Sequence, residues 1–62
     1  MTSHDAFILA SGKGYKVAYD PSWPGYVITT PARPRHPSQQ LGAYRDERSA
    51  WMDAAALAQE HN

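Results

Sequence analysis

The sequence predicts an α+β domain, an antiparallel sheet of three strands, or four, with one C-terminal helix packed on one face. Three observations carry this. Tyr15, Val17 and Tyr19 alternate with Lys16, Ala18 and Asp20, the period of a strand with one buried face. Gly25 to Thr30 is aromatic and β-branched. Ala50, Ala54, Leu57 and Ala58 recur at helical spacing, with Trp51 beside them. The chain of 62 residues is the scale of one small domain.

In chain order, Ala6-Phe7-Ile8-Leu9-Ala10 is a short continuous apolar run and reads as a first strand over 6–10. Ser11-Gly12-Lys13-Gly14 follows, and its two glycines suit a tight hairpin turn. The cleanest strand covers 15–20. Asp20-Pro21-Ser22-Trp23-Pro24-Gly25 is a turn, because neither proline can donate to a central ladder. A third strand covers 25–30, with Tyr26 and Ile28 on one face and Val27 and Thr29 on the other.

From Pro31 to Gln40 three prolines and no large apolar residue mark an exposed loop. Pro31, Pro34 and Pro37 fall at period three, the repeat of a polyproline II helix, so Arg33, Arg35 and His36 are expected to project from a stiff cationic arm. Leu41 to Tyr44 is the place for a return strand along the sheet edge. Asp46 is the expected N-cap of a helix over 46–60, and Glu47 suits the positive end of its dipole.

Composition narrows the function. Ten of the apolar residues are alanine, and Leu, Ile, Val and Phe together number eight, a thin supply for a core. A chain this short ordinarily needs disulfides, a metal, very good packing or a partner. There is no cysteine, which removes disulfides and thiolate zinc sites. His4, His36 and His61 show no metal-ligand spacing, and no nucleophile stands beside an oriented base, so neither cofactor, metal nor catalytic residues are expected. No apolar run is long enough to span a membrane, and the start lacks the basic flank of a signal peptide, so a cytoplasmic location is expected.

The formal net charge is zero but unevenly spread: residues 21–44 hold Arg33 and Arg35 with no acid, while Asp46, Glu47, Asp53 and Glu60 outnumber Arg45 and Arg48 beyond them. An uncovered sheet face and edge, a cationic arm and a Trp in a turn point to a non-enzymatic protein-interaction module. It would be a small accessory or inhibitor protein, of phage or mobile-element type, that binds a larger host protein or complex, or associates with itself. Trp23, Tyr26, Arg33, Arg35 and His36 are the expected partner-binding residues. The alternative is a nucleic-acid-binding regulator using Lys13, Lys16, Arg33 and Arg35.

Leu41 to Tyr44, then Asp46 to Trp51 and the alanine-rich end, resemble the tail of short bacterial and phage sheet-plus-helix modules. Three strands followed by a helix is also similar to the order of AP2-type DNA-binding domains, whose sheet reads the major groove. The dense Arg/Lys pattern of those sheets is missing here, and no family is assigned.

Overall fold

A computed structural model describes residues 2–60. The element order is α1 (Ser3–Gly12), β1 (Lys16–Asp20), β2 (Gly25–Thr29), β3 (Gln40–Tyr44) and α2 (Glu47–Glu60). The strands form one antiparallel meander, β1-β2-β3. The α+β class, the second and third expected strands, the return strand and the C-terminal helix are all present.

The first expected strand is instead a helix. Thr2 Oγ1 accepts from Asp5 N–H at 3.2 Å, and Asp5 Oδ2 accepts from Thr2 N–H at 3.3 Å, a reciprocal capping box that starts α1. The far end is closed as firmly. Gly14 N–H donates to Ser11 O at 3.1 Å and Tyr15 N–H to Ala10 O at 3.0 Å, the two bonds of a Schellman motif. Gly14 supplies the φ of +92° that this exit requires. The glycines assigned to a hairpin therefore end a helix. With a helix ahead of the strands, the order also departs from that of AP2-type domains.

α2 packs on one face of the sheet against all three strands, and α1 packs alongside α2. Ala6 and Ala10 of α1 and Ala50, Ala54, Ala55 and Ala58 of α2 are buried together with Tyr15, Ile28 and Trp51. Small side chains let the helices come close, which compensates for the shortage of bulky residues. Ile28 is the one large side chain fully buried among the described residues. Phe7 meets Trp51 edge-to-face at 4.8 Å, and the Trp51 indole N–H donates to Glu47 Oε1 at 3.2 Å. Tyr15 is buried and Val17 half-buried, but Tyr19 is 60% exposed at the sheet's end, edge-to-face with Tyr26. No helix among the described residues is long and apolar enough to cross a membrane.

The shape is a slab of 29 × 27 × 14 Å, two layers deep, so among the described residues no helix covers the second face of the sheet. Val27, which alternates with Tyr26 and Ile28, points to that face. The helices run in the same direction: α1 ends at Gly12, and Tyr15 just beyond it shares a cavity with Leu57 in the last turns of α2. That direction polarises the molecule. Lys13, Lys16, Arg33 and Arg35 gather at the end where both helices finish, with Glu60. Asp5, Asp20, Asp46 and Glu47 lie toward the other end, with Arg45 and Arg48. Charges of these signs complement the helix dipoles.

Candidate partner-binding groove

The proline-rich segment is not the straight polyproline arm its spacing suggests. Arg33 N–H donates to His36 O at 2.8 Å and His36 N–H to Arg33 O at 3.1 Å, so the chain reverses at Pro34-Arg35. Proline's fixed φ suits the first corner of such a turn. The base is pinned by Thr30. Its N–H donates to Gln39 O at 2.9 Å, its hydroxyl accepts from Gln39 N–H at 2.9 Å, and its carbonyl accepts from the Ser38 hydroxyl at 2.7 Å. The arm is a short hairpin extending the β2–β3 connection.

Folded this way, the arm leans toward α2. A cavity of about 140 Å³ lies beneath it, walled by Tyr15, Pro31, Arg33, His36, Leu41 and Leu57 among others. A second, more open cavity of about 520 Å³ continues along β3, bounded by Trp23, Gln40, Gly42, Tyr44, Asp53 and Ala56. Leu41 and Leu57 border both cavities, which together make one groove from the arm to the turn before β2.

The second cavity wraps the free edge of β3. Asp53, Ala56 and Leu57 reach it from α2, on the helix side of the sheet. Trp23 reaches it from the opposite side. A Cβ built on Gly42 would lie 3.2 Å from Val27 Cγ2 and 3.3 Å from Trp23 Cε3, so the absence of a side chain at Gly42 lets the indole lie beside Val27, which is buried although it points away from the helices. The turn holding Trp23 is fixed by Asp20, whose Oδ1 accepts from Ser22 N–H at 2.9 Å and whose carbonyl accepts from Trp23 N–H at 3.1 Å. The indole remains 38% exposed.

Leu41 opposes Ile28 and Tyr44 opposes Tyr26, so three steps on β3 match two on β2. This bulge at Gly42-Ala43 keeps both Leu41 and Tyr44 on the helix side. Burial raises the Tyr44 hydroxyl pKa, and its hydrogen bond to the Asp53 carboxylate raises it further.

The expected partner-binding residues do not form one cluster. Arg33 and His36 border the groove under the arm, and Arg35 is exposed at the arm's turn. Trp23 borders the other end. Tyr26 lies with the core on the helix side, so the sheet separates it from Trp23. The residues expected for nucleic acid do converge on one end: Lys13 and Lys16 flank Gly14, where a Cβ would sit 3.1 Å from Pro31 Cβ at the root of the arm. Sequence reasoning missed the groove's own lining, Leu41, Gly42, Tyr44, Asp53, Ala56 and Leu57. Among the described residues no group of His and acidic side chains is arranged to hold a metal, and His61 lies outside them. Family models, curated proteins and solved structures yield no match to this chain.

Proposed function

We propose that the chain is a non-enzymatic protein-interaction module that takes an extended segment of a protein along the free edge of β3. One observation carries the reading: the open cavity borders an edge strand from both faces of the sheet. A segment added there pairs its backbone with β3 and sends alternate side chains toward Trp23 on one side and toward Ala56 and Leu57 on the other. Gln40-Leu41-Gly42-Ala43-Tyr44 carries no charge, whereas the opposite edge, β1, has Lys16 and Asp20 at its ends. Charged side chains discourage strand addition, so the two edges differ in the sense this reading requires.

The test is selection from a displayed random-peptide library, followed by titration of the isotope-labelled chain with the enriched peptides. The expected result is amide shifts centred on Gln40 to Tyr44 that are lost in Ala43→Lys, where a lysine blocks the edge. Enriched peptides that shift only other regions, or no enrichment, overturn the reading.

The convergence of Lys13, Lys16, Arg33 and Arg35 at one end favours a second reading, a nucleic-acid contact through the arm. Its signature is duplex or single-strand binding that weakens steeply with salt and is lost in Arg33→Ala plus Arg35→Ala.

A further inference from the structure

We infer that the segment occupying the β3 edge is the β3 of a second copy of this chain, joined antiparallel across a two-fold axis at Gly42 into a six-stranded sheet. The inference rests on reading that edge as a docking strand and names its occupant.

The charge arrangement selects the occupant. Along β3 the cationic arm, with Arg33 and Arg35, stands at the Gln40 end, and Asp53 stands beside Tyr44 at the other. Reversing a second copy sets the arm of each molecule against the Asp53 end of its neighbour. The same reversal brings the pole holding Lys13, Lys16 and Glu60 toward the pole holding Asp20, Asp46 and Glu47 with Arg45 and Arg48, so a pole with an excess of cations meets one with an excess of acids. A parallel copy would set like charges together. The chain's zero formal net charge leaves no overall repulsion between copies.

The shape of the edge agrees with a self-complementary contact, in which the same surface serves both copies. Gly42 at the axis has no side chain, and the neighbouring Ala43 is small and exposed. The bulge interrupts regular pairing at the centre and leaves its flanks, Gln40 of one copy opposite Tyr44 of the other. The β1 edge differs in carrying Lys16 and Asp20, charged residues of the kind that discourage strand addition.

Sedimentation equilibrium of the full chain over a concentration series tests the inference. A dimer is expected. Arg35→Glu alone and Asp53→Lys alone should each weaken it about tenfold, and the two together should recover most of that loss, as for a rim charge pair. Ala43→Lys should give a monomer with unchanged far-ultraviolet circular dichroism, which separates a blocked edge from a failed fold. A chain that stays monomeric up to about 1 mM overturns the inference. So does a dimer indifferent to Ala43→Lys and to the charge exchange, which would use another surface such as exposed Phe7 and Ile8. If the monomer still binds selected peptides at β3, strand addition stands and only the second copy is refuted. If it binds none there, both fail.

Discussion

The two flanks of α2 are built differently from the same helix. On one flank Ala50, Ala54 and Ala58 are fully buried in the layer shared with Ala6 and Ala10, and α1 sits close. On the other flank Asp53, Ala56 and Leu57 look across an open groove to the β3 edge. A chain with few bulky residues can complete one such flank by close approach of small side chains. Among the described residues there is no third helix to close the other. The difference teaches where stability and recognition are divided: the alanine seam holds the fold, and the open flank is left available to a partner.

The sharpest way to break this contrast is the same substitution made on both flanks. Ala54→Leu forces a larger side chain into the helix seam and should cost about 1–3 kcal/mol. Ala56→Leu adds its methylenes to the groove and should stay within about 0.5 kcal/mol of the parent. Thermal unfolding reads both. In a domain this size each kcal/mol moves the midpoint by roughly 4–8 °C, so the pair should separate clearly. Equal costs would mean that α2 is enclosed on both sides.

A smaller effect is expected at the exit of α1, which holds the closed flank in register. Gly14→Ala places a Cβ where φ is +92° and 3.1 Å from Pro31 Cβ. The left-handed conformation alone costs roughly 1–2 kcal/mol for an L residue. Denaturant titration should show that loss, and amide exchange should show it concentrated in α1. Protection lost equally along β3 would mean that the two flanks are not energetically distinct.

The closed flank was only half legible. The stripe of Ala50, Ala54 and Ala58 announces α2 by its spacing. The partner helix is harder to read because Ala6 to Ala10 is five apolar residues long, a pattern that a buried strand and a helix share. The deciding signal lies just ahead of it, Thr2 followed three residues later by Asp5, a capping pair that only a helix start requires. With that pair in view, Gly14 falls at the position after the C-cap.

The open flank was less legible for a different reason. The return strand over Leu41 to Tyr44 can be placed from its flanking loop and cap, but the groove depends on which face of α2 looks toward β3. That is a long-range packing result with no local pattern. The bulge makes it harder, since Leu41 and Tyr44 share a face against the alternation of a regular strand. The arm misled through its prolines. Their period of three describes an extended helix, while two backbone hydrogen bonds between Arg33 and His36 turn the chain back.

The smallest effect belongs to the acid side of the stability curve and compares the starts of the two helices. Hydrogen bonding of the Asp5 carboxylate to the backbone and side chain of Thr2 lowers its pKa below the ordinary 3.8. Asp46 is lowered from the same value by its hydrogen bonds with Ser49, whose N–H lies 2.7 Å from Asp46 Oδ1. Each group holds its proton less tightly in the folded chain than in the unfolded one, so the unfolded chain takes up more protons on acidification and stability rises with pH. The contribution is complete above the unfolded value and is lost as pH falls below 3.8 through the depressed folded values. Asp46→Asn keeps a side-chain oxygen for the cap but removes the titration. It should flatten the acid limb, measured by circular dichroism, while the fraying due to Asp5 persists in α1. An acid limb unchanged by Asp46→Asn would place the sensitivity at Asp5 and so within the closed flank alone.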